Sequence, residues 1–167
     1  KMKSVVVAIT GASGSIYGIR VLEFLKDLEN VETHLIITSS AKSTLNIETD
    51  YSSSDVEGLA DHTHGSRDIG ASIASGSFQT EGMIVAPCSI KSLSAIANSF
   101  GADLVSRSAD VTLKERRPLI MMVRETPFHL GHLRLMVKAT ERGAIISPPI
   151  PAFYNKPISI ADLVDHS

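Results

Sequence analysis

The feature that most constrains this chain is a junction near its start, where an unbroken apolar run meets a glycine-rich turn and then a helix. Ser4 to Thr10 reads SVVVAIT, β-branched and without alternation, the pattern of a strand buried on both faces. Gly11-Ala12-Ser13-Gly14 breaks the run, and Ile16, Ile19, Leu22, Leu25 and Leu28 then recur at helical spacing. A strand covered on both faces belongs inside a parallel sheet with helices above and below it. The turn, T-G-A-S-G-S-I-Y-G from Thr10 to Gly18, lets the backbone approach a ligand, and its amides together with the helix dipole favour an anion. Thr10 to Gly14 is therefore predicted to be a phosphate site.

The rest of the chain repeats the alternation. Strands are predicted at Val31–Thr38, Gly82–Ala86, Pro118–Val123 and Ala144–Ser147. Helices are predicted at Ser39–Glu48, Ser54–Glu57 (a capping-box start), Ile90–Asn98, Asp103–Glu115, His129–Arg142 (stopped by Gly143) and Ser159–Asp165. This order implies one α/β domain over residues 1–167, a doubly wound, flavodoxin- or Rossmann-like parallel sheet with helices on both faces. The Ser/Gly-rich stretch from Ser52 to Ser77 is too long for an idle connection and is expected to be functional.

Bulk properties exclude several classes of function. A net charge of −2 leaves no electrostatic footprint for nucleic acid or an anionic membrane. The single cysteine, Cys88, excludes an intramolecular disulfide and fits a reducing cytoplasm. No apolar run approaches the ~20 residues that span a bilayer, and the N-terminus enters a strand with no signal-peptide pattern. A cytoplasmic location is expected.

The identity of the ligand follows from what the loops lack. Dinucleotide sites place an acidic residue after the second strand, whereas this strand ends in Thr38-Ser39-Ser40. Gly11, Gly14 and Gly18 miss the G-x-G-x-x-G spacing, and no P-loop lysine follows a glycine. A mononucleotide such as FMN fits better than NAD or ATP. Pro87-Cys88-Ser89-Ile90-Lys91-Ser92 follows the third predicted strand, and in a flavodoxin-like order it would face the Ser13 loop across one crevice. Cys88 is read as a small buried thiol in preference to a nucleophile.

Further candidates are ionic. Arg107, Lys114, Glu115, Arg116 and Arg117 cluster on or after one helix, with Arg116 or Arg117 read as part of a solvated terminus. Arg124 and Glu125 end a strand. An arginine there can fork onto a phosphate, and the adjacent glutamate can manage a proton. Ser75-Gly76-Ser77-Phe78 is equally a second phosphate loop or a plain turn. His62 and His64 are read as loop residues, and His129 and His132 have no carboxylate or cysteine at ligand spacing, so no metal site is expected.

Taken together, these residues resemble the flavin prenyltransferase family of the UbiX/Pad type, and most closely its members associated with aromatic-acid decarboxylases. The resemblance rests on T-G-A-S-G, I-E-T-D at Ile47–Asp50, S-G-S-F at Ser75–Phe78, P-C-S at Pro87–Ser89, A-D-V-T-L-K-E-R-R-P at Ala109–Pro118, R-E-T-P at Arg124–Pro127 and A-F-Y-N-K-P at Ala152–Pro157, in family order over nearly the whole chain. It implies transfer of a dimethylallyl group from dimethylallyl monophosphate to reduced FMN without a metal, forming a fourth ring across N5 and C6. The product would serve a UbiD-type decarboxylase, and the protein would be a homo-oligomer, a dodecamer with sites between subunits.

The resemblance also assigns residues. Gly11, Ala12, Ser13, Thr38, Ser89, Ile90, Lys91, Ser92 and Arg124 would contact FMN. Ser75, Gly76, Arg107, Lys114, Arg124, Glu125 and Tyr154 would meet the prenyl phosphate. Ser13, Glu48 and Glu125 would be catalytic. Two departures stand out: Asp68-Ile69-Gly70-Ala71 replaces a loop that carries Trp in ubiquinone-pathway members, and the chain ends at Asp165-His166-Ser167 where the family continues into a helix with one more basic ligand. The C-terminal helix is accordingly expected to be truncated. The competing readings are an FMN-dependent cysteine decarboxylase, disfavoured because Pro87-Cys88-Ser89-Ile90 stands where that family has P-A-S-A-N, and a non-catalytic FMN-binding subunit of a decarboxylase.

Overall fold

The computed structural model describes residues 1–167. The elements run β1 (Lys3–Ile9), α1 (Ser15–Lys26), β2 (Val31–Ile37), α2 (Ser39–Glu48), α3 (Ser53–Glu57), β3 (His62–His64), a 3₁₀ turn (Ser72–Ala74), β4 (Gly82–Cys88), α4 (Ile90–Ala97), α5 (Leu104–Lys114), β5 (Leu119–Val123), α6 (Leu130–Glu141), β6 (Ile145–Ile146) and α7 (Ile160–His166). The six strands form one parallel sheet in the order β3-β2-β1-β4-β5-β6. The strand order reverses between β1 and β4, and such a switch point opens a crevice at the carboxyl ends of the two strands.

Alternate residues of each central strand serve opposite faces. Val7, Ile9, Leu35 and Ile37 pack with Ile19 and Leu22 of α1 and with Ala41 and Leu45 of α2. Val6, Ala8, Val85, Met121 and Val123 pack with Leu93 and Ile96 of α4, Leu104 and Ala109 of α5 and Ala139 of α6. That two-sided burial is why the strands read as unbroken apolar runs. α1 lies especially close to the sheet. A Cβ on its Gly18 would lie 2.6 Å from Ile9 Cγ1 and closer still to the Ala86 carbonyl oxygen. At the end of α6, Gly143 takes φ 104°, the left-handed conformation that stops a helix. No helix is long and apolar enough to cross a membrane.

Two local expectations are corrected. His62 and His64 are not loop residues: they form β3, paired with β2 as His34↔His62 and Ile36↔His64. Propensity cannot signal three residues, His-Thr-His; pairing makes the strand. Asp61 pins its start, accepting from the Thr33 amide at 2.8 Å and the Thr33 hydroxyl at 3.0 Å. The capping box of α3 is Ser52 with Asp55, so that helix begins at Ser53, one residue before the predicted start.

Candidate active site

The crevice is built from the loops that leave β1, β4 and β5. Thr10 ties the first two together. Its hydroxyl donates to the Pro87 carbonyl at 2.7 Å and accepts from the Ser89 amide at 2.8 Å. The Arg124 amide donates to the Cys88 carbonyl at 3.1 Å, joining the third. The Ser13 loop and the Pro87–Ser92 loop therefore face one another as the sequence implied.

Glu48, at the end of α2, reaches across to the start of α1. Its Oε2 accepts from the Gly14 amide at 2.9 Å and the Ser15 amide at 3.3 Å. Burial pushes the Glu48 pKa up, but hydrogen bonds from Ser13, Gly14 and Ser15 and the Arg124 charge outweigh it and hold the carboxyl below its ordinary value. At this helix terminus the Gly14 and Ser15 amides bond the chain's own carboxylate, and the Ser13 hydroxyl and the Arg124 charge lie beside it.

The remaining donor set suits a flavin phosphate and ribityl chain. The Thr38 hydroxyl caps α2, accepting from the Ala41 amide, and lies 3.2 Å from the Ser40 hydroxyl. Gly11 passes so close that a Cβ there would lie 2.5 Å from Ser40 Oγ, so the first loop presents backbone where a side chain would block approach. Ser89 caps α4, its Oγ accepting from the Ser92 amide and lying 3.2 Å from Ser92 Oγ. Lys91 is exposed on the first turn of α4. Ile90 packs its side chain on the core, so it offers a ligand its backbone. Cys88 is fully buried and burial pushes its thiol up to about 12, which makes it a packing residue and no nucleophile.

A cleft of about 570 Å³ opens beside Ser13 and Gly14, walled by Tyr17, Arg124, Glu125, Phe128 and the segment Pro148–Pro151. Glu125 accepts from the Thr126 amide at 3.0 Å. Sequence reasoning missed Tyr17, Phe128 and the proline segment as walls. The run Pro148-Pro149-Ile150-Pro151 was the available signal, since it follows the last strand directly.

The other predicted residues lie elsewhere in the subunit. Gly76 and Ser75 precede β4, and Lys114 precedes β5, so they sit toward the amino-terminal edge of the sheet, opposite Arg124. Arg107 donates to the Ala74 carbonyl at 3.2 Å and lies 3.7 Å from Asp110, while Lys114 pairs with Glu115. Arg117 is no solvated terminus: it donates to the Gly76 and Phe78 carbonyls, each at 2.9 Å, and pins the S-G-S-F loop. Tyr154 is exposed and bonded to His166 Nε2 at 2.9 Å, outside the cleft wall. One subunit thus brings together Ser13, Glu48, Arg124 and Glu125 and keeps Ser75, Gly76, Arg107 and Lys114 apart from them, with Tyr154 not among the residues that wall the cleft.

A doubly wound sheet whose switch point carries hydroxyl-rich loops and an arginine defines a flavoprotein, and residues 1–152 match the Flavoprotein family. Within that class the chain belongs to the flavin prenyltransferases. Flavin prenyltransferase UbiX of Thauera aromatica is 60% identical over 163 residues, spanning 98% of this chain and 84% of that protein. Flavin prenyltransferase UbiX of Escherichia coli K12 is 57% identical over 166 residues, 99% of this chain and 88% of that protein. Among solved structures, AnUbiX (PadA1) in complex with FMN and dimethylallyl pyrophosphate superposes with a TM-score of 0.98 at 52% identity, covering 99% of this chain and 88% of that one. A dodecameric FMN-dependent UbiX-like decarboxylase from Escherichia coli O157:H7 gives 0.96 at 45% identity, covering 98% and 88%. The FMN-dependent cysteine decarboxylase TvaF, at 14% identity and a TM-score of 0.70 over 89% of this chain and 91% of that one, shares the fold alone.

Proposed function

We propose that this chain joins a dimethylallyl group from dimethylallyl monophosphate to reduced FMN, and that a UbiD-type decarboxylase receives the product in a reducing cytoplasm. The observation that carries the reading is the meeting of Ser13, Glu48 and Arg124 beside the cleft that Glu125 walls. Gly11, Ala12, Thr38, the Ser89–Ser92 turn and Arg124 would hold the flavin. When bound, reduced FMN supplies the electron-rich ring atoms that accept the prenyl group. The protein's tasks are then orientation, charge stabilisation and proton handling.

Arg124 supplies a guanidinium that matches phosphate oxygens in a fork. Glu125 is placed to exchange a proton with the departing phosphate, and the Ser13 hydroxyl, hydrogen-bonded to Glu48, is a second proton carrier. Glu48, held ionised by its donors, serves as the base for the ring proton that must leave. Tyr17, Phe128 and Pro148–Pro151 form the wall that keeps water from a reactive allylic group. Departure of phosphate requires cations around its growing charge. Ser75, Gly76, Arg107 and Lys114, which lie toward the other edge of the sheet, would provide that stabilisation from a neighbouring subunit, and Tyr154, three residues beyond the Pro148–Pro151 segment, would add a hydroxyl. An exposed apolar row on α6, Leu130, Leu133 and Val137, supports a homo-oligomer, and we assign it to a dodecamer like that of the E. coli relative.

Anaerobic incubation with reduced FMN and dimethylallyl monophosphate, followed by mass spectrometry of the flavin, tests the reaction. A gain of one dimethylallyl unit is expected, and an unchanged flavin would overturn the reading. Glu125→Gln is expected to keep FMN and lose turnover by about 100-fold or more, the scale of one general acid–base group. Loss of FMN in that variant would assign Glu125 to binding instead.

A further inference from the structure

The outer edge of the sheet carries a cluster that prenyl transfer does not use. Glu32 and His34 are two apart on β2, and His62 and His64 two apart on β3, so each pair shares one face of its strand. The register His34↔His62 and Ile36↔His64 brings all four to the face that carries Ile36. His34 is buried, its ring edge-on to Phe78 at 5.1 Å.

Glu32 Oε1 lies 2.9 Å from His34 Nε2 and 3.2 Å from His62 Nε2. The three ligand atoms fall within 4.8 Å of one another. On the far side of the same ring, His34 Nδ1 lies 3.0 Å from His64 Nε2. The three imidazoles stack, with centroids 4.7 Å apart for His34 and His62 and 5.3 Å for His34 and His64.

We propose that Glu32, His34 and His62 bind a divalent transition-metal ion of the zinc class, with His64 orienting His34 from behind. The geometry fits: with bonds of about 2.0–2.1 Å, neighbouring donors of a tetrahedral zinc site lie roughly 3.3–3.4 Å apart. The two measured separations need to open by only a few tenths of an ångström. The donor chemistry fits as well. Two imidazole nitrogens and one carboxylate oxygen suit zinc, cobalt or nickel, whereas magnesium and calcium favour oxygen ligands.

The contact behind His34 is what a metal-bound histidine needs. A ligating imidazole donates its second ring N–H to an outer partner, which fixes tautomer and orientation. With Nδ1–H donating to His64, the Nε2 lone pair of His34 faces the metal position. His62 is half-exposed, which gives an ion a way in and leaves a fourth position to water. Bound there, the ion would clamp β3 to β2, and with it the start of the long connection to Ser75.

The test uses the full chain with FMN, stripped with a chelator and titrated with Zn²⁺ by calorimetry and with Co²⁺ by visible absorption. One ion per chain is expected, with a Kd of about 1 μM or tighter and the intense bands of tetrahedral Co²⁺. His62→Ala is expected to weaken binding at least 10-fold, roughly, by removing one ligand of three. His64→Ala should weaken it about 10–100-fold while keeping the tetrahedral bands. Because His62 is half-exposed, unchanged FMN content will report an intact fold. His132→Ala serves as the control, since His129 and His132 form a second stacked pair, 3.5 Å apart, at the start of α6. Failure to bind either ion would overturn the proposal, leaving a carboxylate shared by two imidazoles. Binding undiminished in His62→Ala, or lost in His132→Ala, would overturn it equally.

Discussion

At the start of α1 the amides of Gly14 and Ser15 both point at one oxygen of Glu48. A carboxylate placed there satisfies two donors that the helix cannot use and opposes the positive end of its dipole, an effect of about 0.3–1 kcal/mol at a partly exposed site. Glu48→Gln is expected to lower stability at pH 7 by about that amount in urea titrations. The pH dependence follows from the depressed pKa. The carboxylate's contribution is present above its ordinary, unfolded value of about 4.5, and is lost as pH falls through the lower folded value. Wild type and variant should therefore converge only once the pH is below that depressed folded value, and a stability difference that persists there would deny the charge its role. At this scale the sequence was partly legible. Glu48, Ser13 and Arg124 were singled out separately, but their meeting was not, because Gly14 and Glu48 are 34 residues apart and meet only once β1 and β2 pair and α2 packs beside α1. His34 and His64, 30 residues apart, were hidden for the same reason.

Elements were more legible than contacts. β1, β4 and β5 are buried on both faces, so their apolar runs declare them, as Leu35–Ile37 declares the second half of β2, and α5 and α6 show helical spacing behind capping residues, with α1 starting after Gly14. β3 lacks such a signal because its partners are remote in sequence: Asp61 bonds Thr33, the backbone pairs with β2, and His62 and His64 meet Glu32 and His34 across that pair. The closest helix–sheet approach can be tested directly. At Gly18 an added methyl meets the Ala86 carbonyl, which is fixed in β4, and Ile9 in the core. Gly18→Ala gains helix propensity of about 1 kcal/mol but must push α1 off the sheet, and overpacking typically costs about 1–3 kcal/mol. Net destabilisation, seen as a lower Tm with FMN bound, is expected. An unchanged or raised Tm would mean that α1 is free to shift.

In the whole molecule, the candidate site residues fall into two groups near opposite ends of the strands: Ser13, Glu48, Arg124 and Glu125 at the carboxyl ends, and Ser75, Gly76, Arg107 and Lys114 toward the amino ends. The predicted strand bounds already imply this separation, since Ser75, Gly76 and Lys114 precede their strands whereas Arg124 and Glu125 follow theirs. Two such groups can serve one reaction only if a neighbouring copy brings its second group to the first, as a closed symmetric assembly allows. This predicts complementation. Lys114→Ala and Glu125→Gln should each be nearly inactive alone, the first for want of a phosphate ligand and the second for want of a proton carrier. Subunits of the two kinds, co-assembled in equal amounts, place an intact Lys114 beside an intact Glu125 at about a quarter of the interfaces, half of each partner being the right kind. Recovery of activity to about that fraction, measured as prenylated flavin per chain, is expected for a shared site. If both residues acted within one subunit, every site would carry one defect or the other and mixing would restore nothing.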